Sequence, residues 1–233
     1  MASVKLVERE WAVGVTTVPQ RITNTFPRTM HSLCDAGFSV DRLFVDGARN
    51  GNEYEEWGIE TTCRYPNLLT HGNWVLGLYE LFVRFPLAKH YAMFQDDLIC
   101  CRNLREYLEA VEKPERSYLN LFTFPENQKL ADDFGWFRSN QRGKGAVGLV
   151  FSNEAVEALL THPHMFGRPR CPKRGHKAID GGIVDTLRKQ GWQEVCHNPS
   201  LIQHTGKASS MGNAKHPLAK SFQGEKFDAL SLL

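Results

Sequence analysis

Apolar residues fall into short continuous runs separated by amphipathic stretches, the alternation expected of an α/β domain built on a largely parallel sheet. "WAVGVTT" (Trp11–Thr17) reads as a buried strand that leaves its sheet before Pro19. "NTFPRTMHSLCDAGF" fits a helix with Asn24 or Thr25 as cap, Pro27 in the first turn and Gly37 past the end. A second strand, "RLFVDG" (Arg42–Gly47), follows at once. With a right-handed crossover, this order begins a parallel sheet. Ligands collect at the carboxyl ends of such strands, where Thr16, Thr17 and Asp46 fall.

Further along, "GIETTCRYP" (Gly58–Pro66) extends the sheet, and "GNWVLGLYELFVRF" (Gly72–Phe85) is a helix with Trp74, Leu78 and Leu81 on one face. "HYAMFQ" is the next strand, so Asp96 and Asp97 again lie at a carboxyl end. "RNLREYLEAVEK" reads as a surface helix and "SYLNLFTF" as a strand. "GAVGLVFS" (Gly145–Ser152) is a strand from which Ser152 or Asn153 caps the helix "EAVEALLTH". "DGGIVDTLRKQG" (Asp180–Gly191) is a helix with an acid at its start and glycine at its stop. No repeat or Pro/Ser-rich linker interrupts the chain. The expectation is one Rossmann-like domain over 1–213, a mixed, mostly parallel sheet flanked by helices, and an irregular tail over 214–233.

Composition narrows the class. The 233 residues are 42% hydrophobic, enough for one core. No apolar run approaches the ~20 residues that span a bilayer, and "MASVKLVERE" is too charged for a secretory signal. A soluble, cytoplasmic protein is expected. The six cysteines form no CxxC spacing and read as reduced thiols. The net charge of +2 is unevenly spread: Arg168, Arg170, Lys173, Arg174 and Lys177 crowd one loop without an acid. Such a loop meets an anionic partner or is simply solvated.

The chemistry centres on "YAMFQDDLICC" (Tyr91–Cys101), where an apolar run ends in two adjacent carboxylates. Their mutual repulsion makes it costly to keep both ionised in a buried place. A divalent cation, Mn²⁺ or Mg²⁺ held against a diphosphate, relieves it; otherwise one acid caps the helix near Asn103 and the other faces water. Downstream, "NPSLIQHTGKASSMGN" (Asn198–Asn213) offers His204 as a metal ligand. Gly206, Lys207, Ser209 and Ser210 after it offer amides, an ammonium and hydroxyls to phosphate. Asp132 and Asp133 follow no clean strand and rank lower as ligands. Trp136 and Phe137 suit either a stacking wall or the core. His162, His164, Cys171 and His176 match no strong zinc spacing.

In order, "VGVTTVPQR", "FVDG", "FPLAKHYAMFQDDL", "GAVGLVFS", "AIDGGIVDTLRKQG" and "PSLIQHTGKASS" resemble a nucleotide-sugar glycosyltransferase of the GT-A fold. "PSLIQHTGKASS" is similar to the Pro-Ser-Leu-x-Gln-His-x-Gly-x-x-Ser-Ser segment of the N-acetylglucosaminyltransferase IV group. The stretch leading into Gln95-Asp96-Asp97 is similar to the Glu-Asp-Asp region of N-acetylglucosaminyltransferase I, with Gln95 where those enzymes carry an acid. With no anchor or lumenal stem in the sequence, a bacterial or viral member fits.

The resemblance implies a metal-dependent hexosyl- or N-acetylhexosaminyl-transferase with a UDP-sugar donor. Thr16, Thr17, Arg21 and Asp46 would line the uridine pocket, and Asn73 would reach the nucleotide. Asp96 would sit near ribose and metal, Asp97 would bind the metal, and His204 would approach it. Lys207, Ser209 and Ser210 would close over the phosphates. Asp180 stands where inverting GT-A enzymes carry the general base; its other role is helix N-cap, and Asp185 is the reserve. The basic loop before Asp180 suggests a phosphate-rich acceptor such as DNA carrying a hydroxymethylated pyrimidine; a glycan is the other candidate acceptor. Two rival classes are a non-enzymatic nucleic-acid or carbohydrate binding module and a nucleotidyltransferase.

Overall fold

The computed structural model describes residues 8–167, 179–205 and 217–233. Strand β1 (Arg9–Thr17) carries a continuous apolar run over Trp11–Val15 because both its faces are covered there. Helix α1 (Thr25–Asp35) returns the chain to β2 (Arg42–Asp46), and β3 (Thr61–Arg64) follows. Helix α2 (Leu69–Arg84) leads to β4 (Ala88–Gln95). These strands give the order β3-β2-β1-β4, all parallel, so their carboxyl ends share one edge.

The second half reverses the sheet. After β5 (Leu98–Cys100) and α3 (Leu104–Ala110) come β6 (Ser117–Asn120), α4 (Pro125–Gln128), β7 (Gly135–Arg138) and β8 (Gly148–Ser152). Helices α5 (Asn153–Thr161), α6 (Pro163–Phe166) and α7 (Ile179–Arg188) precede β9 (Gln193–Asn198) and β10 (Ile202–His204). The eight-stranded order is β3-β2-β1-β4-β8-β6-β9-β7, with β8 antiparallel to both β4 and β6. β5 and β10 form a separate antiparallel ribbon.

Each sheet face carries its own core. Phe26 and Leu33 of α1, Leu104 and Leu108 of α3, and Val13, Val15 and Phe94 of the sheet fill one side. Trp74, Leu78 and Leu81 of α2, Val156 of α5, Ile183 of α7 and Phe44, Met93 and Phe151 of the sheet fill the other. Gly14 lets α2 press onto β1: a Cβ there would lie 2.7 Å from Phe44 and 2.9 Å from Leu81.

Several boundaries differ from expectation. β4 begins at Ala88 and α2 at Leu69, earlier than their apolar periodicity shows. The strand expected over 117–124 stops at Asn120, whose Oδ1 accepts from the Phe122 amide and turns the chain. The strand expected from Gly145 starts at Gly148, after a turn in which Gly145 has φ +74°. Asn24 precedes α1 without capping it through its side chain, whereas the Ser152 hydroxyl does accept from the Ala155 amide at 3.2 Å. Residues 217–233, expected as a tail, place Ala219 and Ala229 in the core, and Asp228 accepts from Asn103. No helix among the described residues is long and apolar enough to cross a membrane.

Candidate functional site

Asp96 and Asp97 form the turn between β4 and β5, at the edge where the parallel strands end. Both are buried, at 3% and 1% exposure, so their charges need partners inside the protein. The ribbon supplies one. In its register His204 stands opposite Leu98, and the Thr205 amide donates to the Asp97 carbonyl at 2.7 Å. His204 Nε2 thereby lies 3.5 Å from Asp97 Oδ2. β5 is held in place from its other side by α1: the Thr29 hydroxyl accepts from the Leu98 amide and donates to its carbonyl, and Ser32 accepts from the Cys100 amide.

The second partner is Arg21, whose Nη1 bonds Asp96 Oδ1 and lies 2.7 Å from Asp97 Oδ2. The chain therefore answers the repulsion of its paired acids partly with its own guanidinium. Burial works against the charged Arg21, yet the charges of Asp96 and Asp97 carry its pKa above the usual value. Burial pushes the Asp96 carboxyl up to about 6; Asp97 adds to this, while Arg21 and a 2.6 Å hydrogen bond from the Thr17 hydroxyl oppose it.

These bonds engage both oxygens of Asp96 and one of Asp97, whereas Asp97 Oδ1 is buried with no hydrogen-bond partner among the described residues. An orphaned carboxylate oxygen beside an imidazole suits a divalent cation. Among the described residues no three His, Cys, Asp or Glu side chains are set to hold a metal unaided. Asp97 and His204 are a pair, which fits a hard cation that completes its shell with water and substrate phosphates.

Thr16, Thr17, Arg21, Asp46, Asn73 and Asp96 all line one open cleft, joined by Val18, Thr70 and Gln95. The fold engages their side chains to different degrees. The Asn73 amide is consumed by the fold: Nδ2 donates to the Phe44 carbonyl at 2.9 Å and Oδ1 accepts from Arg64 Nε at 3.0 Å. Asn73 is a strut between α2 and β2. The Thr16 hydroxyl donates to the Phe94 carbonyl at 3.2 Å, and Asp46 Oδ1 accepts from the Leu68 amide at 2.7 Å. Arg64, largely buried beside Asn73, has no sequence signal that separates it from the surface arginines.

Asp180 lies in the first turn of α7, and its Oδ2 accepts from the amides of Gly145, at 2.8 Å, and Ala146, at 3.3 Å. Burial raises its pKa, and the Ala146 and Gly145 amides oppose that rise. Gly143 permits the approach: at φ +64°, a Cβ there would lie 2.3 Å from the Asp180 carbonyl oxygen. Asp185 pairs instead with Arg188 at 3.5 Å on the helix surface. Gln95, the departure from the Glu-Asp-Asp pattern, donates through Nε2 to the Ala146 carbonyl at 2.8 Å.

Lys207, Ser209 and Ser210, the basic residues Arg168, Arg170, Lys173, Arg174 and Lys177, and Cys171 and His176 lie outside the described residues. Trp136 is not an open stacking wall: it packs against the core, edge-on to His197 at 4.8 Å between ring centres. Asp132 and Asp133 sit in an exposed loop. His162 caps α6 by accepting from the His164 amide.

No protein-family model matches the sequence. No curated protein matches it either. Solved structures do resemble the fold. A crystal structure of GalNAc-T7 with UDP, GalNAc and Mn²⁺ aligns with TM-score 0.54 at 11% identity, over 80% of this chain and 42% of that one. The chain thus spans less than half the length of that protein. A putative glucose-1-phosphate thymidylyltransferase from Bacillus anthracis aligns with TM-score 0.49 at 11% identity, over 83% of this chain and 89% of that one. A Drosophila β-1,4-galactosyltransferase 7 mutant with manganese, UDP-Gal and xylobiose aligns with TM-score 0.43 at 11% identity, over 84% and 71%. The mixed, mostly parallel sheet flanked by helices is the GT-A fold.

Proposed function

We propose that the protein is a metal-dependent, inverting glycosyltransferase that moves a sugar from a UDP-sugar to a hydroxyl acceptor. The observation that carries this reading is Asp97: buried, with Oδ1 unpartnered among the described residues and His204 beside Oδ2, next in the chain to Asp96, which lines a cleft with Thr16, Thr17 and Asp46. Asp97 and His204 would hold Mn²⁺ or Mg²⁺. When bound, such a cation supplies charge neutralisation for a departing diphosphate.

The chain's own residues supply the rest. Thr16, Thr17 and Asp46 line the uridine side of the cleft, and Arg21 keeps the Asp96–Asp97 pair near one net negative charge. Lys207, Ser209 and Ser210, outside the described residues, are assigned to the diphosphate in this reading for the ammonium and hydroxyl groups they carry. Asp180 takes the proton from the acceptor hydroxyl as its oxygen bonds the anomeric carbon and the sugar-phosphate bond breaks; the pair of electrons leaves with UDP. Burial raises the Asp180 pKa, and base strength rises with pKa, which suits this carboxylate to that role. Nothing among the described residues selects nucleic acid over a glycan as acceptor.

Melting in the presence of UDP and Mn²⁺ tests the reading, because a ligand that binds only the native state raises Tm. Joint stabilisation by both, followed by UDP release from a panel of UDP-sugars, is expected. Indifference to the mixture would return the binding-module reading, and turnover of nucleoside triphosphates with sugar phosphates would return the nucleotidyltransferase.

A further inference from the structure

Gln95 links the two halves of the proposed site. It is the last residue of β4, directly before the acid pair, and lines the donor cleft, yet its side chain is engaged elsewhere, with Nε2 donating to the Ala146 carbonyl at 2.8 Å. Its backbone amide donates to the Val147 carbonyl at 2.8 Å, so residue 95 grips this segment twice. On the far side, Asp180 Oδ2 accepts from the Gly145 and Ala146 amides. Ala146 is thus held by its carbonyl from the acid-pair strand and by its N–H from the carboxylate of α7.

The intervening turn has little freedom. The Val147 amide closes onto the Gly145 carbonyl at 2.7 Å, and Gly145, at φ +74°, lies so near Phe122 that a Cβ would come within 2.5 Å of the ring. A rigid three-residue bridge therefore runs from the donor wall to Asp180. Glutamate, the residue that resembles this position in the Glu-Asp-Asp enzymes, is acceptor-only when ionised and would face the carbonyl without a proton to donate.

We infer that Gln95 is a positioning residue, which fixes the Gly145–Val147 turn and thereby sets the Asp180 carboxylate relative to the donor. The inference rests on the reading of Asp180 as the base. It differs from a donor contact, for which the Gln95 amide would be turned to the nucleotide-sugar.

Gln95→Met keeps the length of the side chain and removes its N–H. With a UDP-sugar the wild type turns over, kcat is expected to fall about 10- to 100-fold, the scale on which small misplacements of reacting groups act. Donor KM and the Tm rise with UDP and Mn²⁺ should stay within about twofold, marking an intact donor site. In the resting protein, amide hydrogen exchange at Gly145 and Ala146 should quicken at least about tenfold as local opening becomes easier. Unchanged kcat, or a loss carried by donor KM, overturns the inference. So does unchanged exchange at Gly145 and Ala146, a readout that stands even if no UDP-sugar is turned over and the proposed function itself fails.

Discussion

Arg21 Nη1 lies 2.7 Å from Asp97 Oδ2 while also bonding Asp96, so one guanidinium bridges both carboxylates of the turn. A divalent cation entering this site meets an acid pair already half neutralised. Arg21→Met should remove the guanidinium that bridges two buried carboxylates, leaving the Thr17 hydroxyl on Asp96 and His204 beside Asp97, at a cost of about 3–5 kcal/mol. Urea unfolding measures it. Mn²⁺ alone should recover part of that loss in the variant while stabilising the wild type little; equal effects on both would show that Arg21 does not screen the site.

Asp97→Asn and His204→Ala should each abolish most of the Tm rise given by UDP with Mn²⁺, because each removes half of the proposed ligand pair. Asp132→Asn, in an exposed loop, is the control and should bind like the wild type. If the His204 variant binds UDP and Mn²⁺ normally, the ribbon has only a structural role.

Asp180→Asn offers an amide oxygen to the same Gly145 and Ala146 N–H groups, so folding and UDP binding should survive. Transfer should fall by about 10²–10⁴-fold, the usual worth of a general base. The base acts only when ionised, so kcat should decline as pH falls through the Asp180 pKa. Burial raises that pKa, which places the acid limb above the ordinary carboxylate range. A wild-type acid limb at or below the ordinary aspartate value would point to another base.

His197 is buried with Nε2 2.6 Å from the Tyr107 hydroxyl and Nδ1 2.7 Å from the Pro199 carbonyl, and burial lowers its pKa. Its folded pKa therefore lies below the unfolded value of about 6.5. Between the two values the unfolded chain binds more protons, so this residue's contribution to stability is lost as pH drops below about 6.5. The Tm of His197→Gln should fall less than that of the wild type between pH 7 and 5. Parallel curves would remove His197 from the acid response.

Local pattern carried far in this chain, and its reach has a clear limit. Continuous apolar runs marked β1, β2 and β4, and polar residues at their ends marked Thr16, Thr17, Asp46, Asp96 and Asp97 as one edge. Those positions follow from strand period and the common direction of parallel strands, both of which are written residue by residue. The three-residue strands β5 and β10 are too short to show a period, so the sequence supplied His204 as a candidate but not the register that sets it against Asp97. Arg21 could equally have been a surface charge, and Asn73 a nucleotide contact. Their partners, Asp96 and Asp97 for the one, Phe44 and Arg64 for the other, belong to other elements. Composition and spacing determined which groups this protein owns and which edge they share. Sheet order, ribbon register and the turn beneath Asp180 decided which of them touch, because hydrogen bonds and ion pairs form over a few ångströms between segments far apart in the chain.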